Sequence, residues 1–407
     1  MKWIQRDLQK KFLSLNTEYS CLLIIGPRQV GKTSFLQKNM DQNRNYVTLD
    51  DMNERKLAQS DPELFLQIHS APVLIDEIQY APQLFSQIKI EIDKGAKPSS
   101  FWMTGSQSFQ LMKLAQESLA GRIGILHMQG LSQHEIYGSG VEQPFRVDIN
   151  SIKKRADQGK AADVHEIFRR IYEGSLPGIV SGRYTDWDVF YNSYIQTYIE
   201  RDVSNEIPGV DSYRFRDFIR ACACRIGQVL NVHNLAVDSD ISENTAKRWL
   251  AELEKAEVIY FLHPYSNSAL KRTIKAPKLY FFDMAAAACL TKYMTPETLE
   301  NGALAGAILE NYVINEIRKS YFNDAKECLL YYYRDKDAKE IDVILEDGGT
   351  IYPLEIKKSS NPGAEAASAF KVLKRADAEK GTGGILCMKK ELTAIDKDTF
   401  LIPIWML

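Results

Sequence analysis

The stretch "CLLIIGPRQVGKTSF", Cys21 to Phe35, decides how the first third of this 407-residue chain must fold. Five apolar residues run uninterrupted into Gly26, the pattern of a strand buried on both faces. The next eight residues, Gly26, Pro27, Arg28, Gln29, Val30, Gly31, Lys32 and Thr33, match G-x-x-x-x-G-K-[ST] and lead through Ser34 into a helical stretch. Gly26 and Gly31 permit a tight turn and a close backbone approach to phosphate. Lys32 can reach the β and γ phosphates, and Thr33 offers a hydroxyl to Mg²⁺. The helix N-terminus adds its positive pole. A strand, a phosphate-cradling loop and a helix in that order predict bound ATP with Mg²⁺.

Further apolar runs follow on both sides. "YVTLD" (46–50), "VLIDE" (73–77), "FWMTGS" (101–106) and "IGILHMQG" (123–130) alternate with polar or amphipathic segments, which predicts a parallel sheet with helices on both faces. Asp76 and Glu77 stand at the carboxyl end of one run. Asp76 is placed to hold Mg²⁺ through water, and Glu77 to orient or deprotonate the attacking water. Ser106, with Thr104, ends another run, where a hydroxyl can sense the γ phosphate or position water. Arg122 in "LAGRIGI" precedes the next strand and is a candidate arginine finger for a neighbouring subunit's nucleotide.

Composition is that of an ordinary globular chain, with 45% hydrophobic and 26% charged residues. A net charge of −2 confines any nucleic-acid contact to a local patch. The six cysteines form no CxxC pair, which suits reduced residues in the cytoplasm. No run approaches the roughly 18 apolar residues of a membrane helix, so no membrane partner is expected. The chain divides into an ATPase unit (1–137), a polar linker or insertion (138–164), a helical middle (165–277) and a second α/β unit (278–407).

In the middle, "NVHNLAVDSDISENTAKRWLAELEKAEVIYFLHPY" (231–265) has the grammar of a helix-turn-helix followed by a wing. Asn231 or His233 begins a short helix, and Ser242 can cap the next one. Ala246, Leu250, Leu253 and Ala256 give a buried face. Asn244, Thr245, Lys247 and Arg248 then point outward, where phosphates or base edges would be met. Lys271, Arg272, Lys275 and Lys278 add a basic patch.

Near the end, "EIDVILEDGGTIYPLEIKKSS" (340–360) reads as a hairpin closed by Gly348-Gly349. That register sets Asp342 opposite Glu355, a like-charge pair that destabilises a sheet unless it has a use. It also sets Glu340 opposite Lys357. Upstream, Ala303, Ala307, Glu310, Ile314 and Ile317 make an apolar helical stripe with one carboxylate in it. A buried carboxylate needs a partner or a metal. Glu310, Asp342 and Glu355 with Lys357 therefore suggest a Mg²⁺ or Mn²⁺ centre, with Asp342 and Glu355 as ligands and Lys357 steering a water.

The ordered set "GPRQVGKT", "LIDEIQ", "MTGS" and "LAGR" resembles the AAA-type ATPases. Continued by "EGSLPGI", "YIERDV", "APKLYFFD" and "YYYRDKDAKEIDV", it resembles a prokaryotic AAA-type family across nearly the whole chain. The helix glutamate, then Asp342, then Glu355-Ile356-Lys357 resemble the D…ExK signature of the restriction-endonuclease-like fold. The resemblance implies an α/β protein in three parts: a P-loop ATPase, a winged-helix middle and a nuclease-like C-terminal unit. The implied activity is ATP hydrolysis coupled to DNA binding or metal-dependent DNA cleavage. The alternative is an ATP-switched DNA- or protein-binding regulator with a silent nuclease-like unit. The implied partners are ATP, DNA, a second copy of the chain and an unidentified protein.

Overall fold

The computed structural model describes residues 3–106, 108–137, 144–204, 207, 209–267, 276–335, 339–375 and 377–407. In the N-terminal unit β1 (Cys21–Ile25), β2 (Asn45–Thr48), β3 (Val73–Asp76), β4 (Phe101–Gly105) and β5 (Ile123–His127) form an all-parallel sheet in the order β2-β3-β4-β1-β5. β1 is buried along its whole length because both faces are covered. Leu22 and Ile24 join the core that holds Phe12 and Phe35, whereas Cys21, Leu23 and Ile25 join the core with Phe65, Phe85 and Leu111. That two-sided cover is why "CLLII" shows no polar alternation. β1 is an interior strand, and its sheet neighbours β4 and β5 are not its neighbours in sequence. The carboxyl edge of such a strand is where a ligand crevice opens.

The middle unit is helical, then a winged helix. The helix Ser212–Ala223 is followed by a bridge from Val229 to Lys278, the helices Val232–Asp238 and Glu243–Lys255, and the antiparallel pair β6 (Ile259–Leu262) and β7 (Lys278–Phe281). The expected Ser242 cap forms, accepting from the Thr245 N–H at 3.1 Å, and the first helix starts at Val232 with Asn231 as its cap, accepting from the Asn234 N–H at 3.0 Å. The buried face of the second helix is Ala246, Trp249, Leu250 and Leu253; Ala256 falls at the C-cap instead. The strand at Lys278, expected to open the C-terminal unit, pairs with β6 and so belongs to the winged-helix sheet. Sequence order cannot reveal this, because an antiparallel partner is chosen by cross-strand packing.

Residues 138–164 were expected to be a polar linker or surface insertion. Within them Ile149–Gln158 is a helix capped by Asp148, with Ile152 and Arg155 buried. Arg155 Nη1 lies 2.9 Å from His134 Nε2 and 3.5 Å from the Met406 carbonyl, so this helix ties the first unit to the chain's last turn. Its apolar face is short, Ile149, Ile152 and Ala156, and the buried Arg155 on the same side is held by long-range contacts.

The C-terminal unit is a mixed sheet of β8 (Leu329–Arg334), β9 (Glu340–Asp347), β10 (Thr350–Lys357), β11 (Glu379–Lys380), β12 (Gly383–Cys387), β13 (Thr393–Asp396) and β14 (Thr399–Pro403). The order is β13-β14-β12-β10-β9-β8, with β11 beside β10. The long helix Ala305–Asn323 packs across β10. The expected single stripe on it is a correction: Ala303 precedes the helix and is exposed, while Ile308, Leu309, Tyr312 and Val313 are buried alongside Ile314 and Ile317. The helix is enclosed on several sides because all three units pack on it.

Candidate functional sites

The phosphate loop leaves β1 at the edge where β3 and β4 also end; Ile25 pairs with Gly105, and Ile75 with Met103. Gly26 has φ 146° and Gly31 φ 92°, which favour glycine. A Cβ on Gly26 would lie 2.0 Å from the Met128 carbonyl oxygen. Gln29 is also left-handed at φ 64°. Arg28 stacks over the Tyr198 ring at 5.1 Å, and Ser34 is exposed. A cleft over the loop is lined by Arg28, Gln29, Lys32, Thr33, Ser34 and Glu77.

Thr33 Oγ1 donates to Asp76 Oδ1 at 2.7 Å. The Thr104 hydroxyl donates to the same oxygen, and Tyr46 Oη to Oδ2 at 3.3 Å. Converging hydroxyl and carboxylate oxygens are the donor set that Mg²⁺ prefers, so these residues fit that ion. Glu77 is held left-handed at φ 57°, with its N–H on Thr104 Oγ1 at 3.2 Å. The Gln79 amide and the Ser106 hydroxyl both donate to Glu77 Oε2, Ser106 at 3.4 Å. Ser106 therefore touches Glu77. Gln79 and Tyr46 were missed in the sequence, which offers no signal for either.

Lys32 Nζ donates to the Gly26 and Pro27 carbonyls at 2.8 Å each. Burial pushes its ammonium down to about 8, against the charges of Glu77, Glu257 and Asp76. Free Lys32 thus loses its proton as pH rises through about 8, whereas a bound triphosphate retains it. ATP affinity should be level below about pH 7 and weaken by up to about tenfold per pH unit well above 8. Fluorescent-nucleotide titration from pH 6 to 9.5 checks this; a flat profile contradicts it.

Glu257 comes from the turn after the helix Glu243–Lys255, at φ 53°, and meets His127 Nε2 at 2.5 Å. The winged helix thus sets a carboxylate in the crevice lined by Pro27 and Val30 of the phosphate loop, held through His127 at a sequence separation of 130. Arg122 lies at the opposite end of the sheet, since its neighbour Ile123 pairs with Cys21, the first residue of β1. Its Nε donates to Asp93 Oδ1 at 2.7 Å. It cannot reach its own chain's loop.

The C-terminal hairpin has the expected register from Thr350–Asp347 to Leu354–Val343, with Gly348 and Gly349 both at positive φ. Beyond that the ladder gives way: the Asp342 carboxylate, through Oδ2, accepts the Ile356 N–H at 2.8 Å. Lys357 Nζ sits 2.5 Å from Glu355 Oε1 and 4.0 Å from Asp342 Oδ2. The expected Glu340–Lys357 pair is replaced, because Glu340 meets Lys278 Nζ at 2.7 Å where the ladder ends. Glu310 accepts from the Tyr280 hydroxyl and from Lys278 Nζ at 3.2 Å. Burial, then the Asp342 charge, pushes both Glu310 and Glu355 up to about 7. Lys278 is held above the usual lysine range: burial opposes its charge, and Glu310, Glu340 and Asp342 outweigh that.

Glu355 is 8% exposed, and its Oε2 is buried with no hydrogen-bond partner. An orphaned carboxylate oxygen beside Asp342 fits a divalent cation. Among the described residues, no three His, Cys, Asp or Glu side chains are grouped as a ready ligand set. Lys278 and Tyr280 were not singled out for this centre, because they belong to another unit's sheet.

On the second winged-helix helix, Asn244, Lys247 and Arg248 are exposed. Thr245 is half-buried, its hydroxyl 2.9 Å from that of Ser242. Lys271, Arg272 and Lys275 lie outside the described residues, and Lys278 is buried at 3% exposure. No helix among the described residues is long and apolar enough to cross a membrane.

Residues 18–137 match the sequence family described as AAA domain. Residues 164–297 and 305–407 match two domains of unknown function, DUF8612 and DUF4143. Uncharacterized protein Rv2008c of Mycobacterium tuberculosis and uncharacterized protein Mb2031c of Mycobacterium bovis are each 29% identical over 343 residues, covering 84% of this chain and 71% of theirs. Among solved structures, a variant of Thermotoga maritima RuvB is similar at 17% identity and TM-score 0.33, covering 63% of this chain and 89% of its own. The S. cerevisiae Hsp104–ADP complex is similar at 12% identity and TM-score 0.28, covering 80% and 44%.

Proposed function

We propose that this chain, whose N-terminal unit is an AAA-type ATPase domain, couples its nucleotide state to metal-dependent phosphodiester cleavage by the C-terminal carboxylates. The observation that carries the second half is the buried, unpartnered Glu355 Oε2 beside Asp342. In the N-terminal unit, Gly26 to Ser34 cradle the triphosphate, Lys32 binds its β and γ oxygens, and Thr33 and Asp76 hold Mg²⁺. Glu77, kept in place by Gln79 and Ser106, takes the proton of the attacking water. Arg122 completes the site of a neighbouring copy, which makes the working form a homo-oligomer.

In the C-terminal unit, Asp342 and Glu355 hold Mg²⁺ or Mn²⁺, and Glu310 stands by as a third carboxylate. A cation there supplies Lewis-acid polarisation of the scissile phosphate and a more acidic water. Lys357 orients that water through its contact with Glu355. Asn244, Thr245, Lys247 and Arg248 place the winged helix on DNA, with Thr245 limited by its bond to Ser242. The unit boundaries that suit this division lie near 137 and 164, with the last one after β7.

A second reading, a catalytically silent C-terminal unit that only binds DNA or a protein, is favoured by the internal pairing of Glu355 with Lys357 and Glu310 with Lys278. Supercoiled plasmid and single-stranded DNA, with Mg²⁺ or Mn²⁺ and with or without ATP, decide between them. Under the first reading wild type cuts, Asp342→Ala does not, and Lys32→Ala loses the ATP dependence. A protein that hydrolyses ATP yet leaves every substrate intact supports the second.

A further inference from the structure

β7 belongs to the winged-helix sheet, yet it is fastened along its outer edge to the C-terminal unit's long helix. The Asn311 side chain accepts from the Phe281 N–H at 2.8 Å and donates to the Phe281 carbonyl at 2.9 Å. Asn315 donates to the Phe281 and Phe282 carbonyls at 2.9 and 3.1 Å, and accepts from Tyr260 Oη at 2.8 Å. A side-chain amide that satisfies both polar groups of one strand residue acts as a missing ladder partner. This pins the strand. Lys278 and Tyr280, two apart on β7, share one face, and that face meets Glu310, the residue before Asn311.

Both contacts fall on the same oxygen of Glu310: Oε1 takes the Tyr280 hydroxyl and Lys278 Nζ, and Oε2 takes neither. Lys278 also spans to Glu340 Oε1 at 2.7 Å, so its buried ammonium is fixed at two points. The clamp ties the third carboxylate to the middle unit's strand. This matches the absence, among the described residues, of a three-carboxylate group able to hold an ion. Acid outnumbers base: Glu310, Glu340, Asp342 and Glu355 face Lys278, Lys357 and, on the outer side of Glu340 at 4.0 Å, Arg334.

We propose that Lys278 and Tyr280 are positioning residues that hold Glu310 out of the cation site. The ligand set is then completed only when β7 releases it, so the middle unit sets the divalent-cation affinity of the C-terminal centre. This inference rests on the reading of Asp342 and Glu355 as a cation site. The electrostatics and the geometry agree in sign. Removing the Lys278 ammonium takes a positive charge away from the cation, and removing either donor leaves Glu310 Oε1 held by one bond in place of two, which loosens its hold.

The test is Mn²⁺ binding to the full chain at pH 8, followed by electron paramagnetic resonance of free and bound ion. The variants are Lys278→Met, Tyr280→Phe, Glu310→Gln and the pair Tyr280→Phe with Glu310→Gln. Tyr280→Phe leaves the charge unchanged and keeps the ring stacked on Tyr260 at 5.6 Å, so circular dichroism should match wild type. Both Lys278→Met and Tyr280→Phe should bind Mn²⁺ about tenfold more tightly than wild type. The Tyr280→Phe gain should vanish in the Glu310→Gln background, which a general loosening of the fold would not produce. Unchanged or weaker binding by both variants overturns this inference while wild-type binding that Asp342→Ala abolishes keeps the cation site. Absence of Mn²⁺ binding in wild type and in every variant overturns the cation site and this inference together.

Discussion

Glu77→Gln should lower ATP hydrolysis about 10²–10⁴-fold while ATP stays bound, because only the proton acceptor is lost. Size and shape are kept, and in the proposed arrangement Lys32, Thr33 and Asp76 would still hold the triphosphate and its Mg²⁺. Glu77 is singled out by its surroundings as well as by its place after Asp76. Its backbone is held at φ 57°, a conformation unusual for glutamate, and two side chains restrain its carboxylate. That restraint keeps the acceptor aimed without reorganisation at the moment of reaction. Phosphate release and nucleotide retention, measured on the same preparation, separate the two effects. A variant that hydrolyses ATP within about threefold of wild type removes Glu77 from this role, and Asp76 would then be the group to examine.

Arg6→Ala should destabilise the N-terminal unit by about 3–5 kcal/mol. Arg6 is 3% exposed, and its Nε donates to Glu135 Oε1 at 2.9 Å. Its other nitrogens donate to the carbonyls of Val30, inside the phosphate loop, and Gln129, at 2.9 and 2.6 Å. Alanine would leave the Glu135 carboxylate with only the N–H groups of Asp7 and Ser132 as donors among these contacts. It would also strip two buried carbonyls of a charged donor. The cost is that of an uncompensated buried charge, which is why it exceeds that of a surface pair such as Arg122–Asp93, about 0–1 kcal/mol. Unfolding followed with and without ATP checks it. ATP should recover part of the loss by mass action, because the nucleotide binds only the folded loop. A loss below about 1 kcal/mol would mean that the neighbours re-pair without Arg6.

The two predictions probe different depths of legibility. Glu77 could be found from five consecutive residues, since "VLIDE" carries both its strand and its position at the strand's end. Arg6 could not. It stands in an amphipathic opening segment, and its partner lies 129 residues away. The same contrast holds at the C-terminal centre. The hairpin register was readable because Gly348-Gly349 admits one turn geometry, and a strand's period of two then fixes which side chains share a face. The fate of Glu340 was not readable, because the ladder gives way beyond Val343 and Lys278 arrives from another sheet.

By itself, then, the sequence determined the parallel sheet, the phosphate loop, the Ser242-capped helix of the winged helix and the hairpin register as far as the Val343–Leu354 pair. Each is written in contiguous residues whose local geometry admits few alternatives. Only the tertiary structure decided that β7 pairs with β6, that Ile149–Gln158 is a helix packed on the chain's end, and that Glu257 lies beside the phosphate loop. It alone placed Lys278 and Tyr280 on Glu310. These are choices among distant partners, made by burial and charge pairing once the units pack, and no local pattern in the chain encodes them.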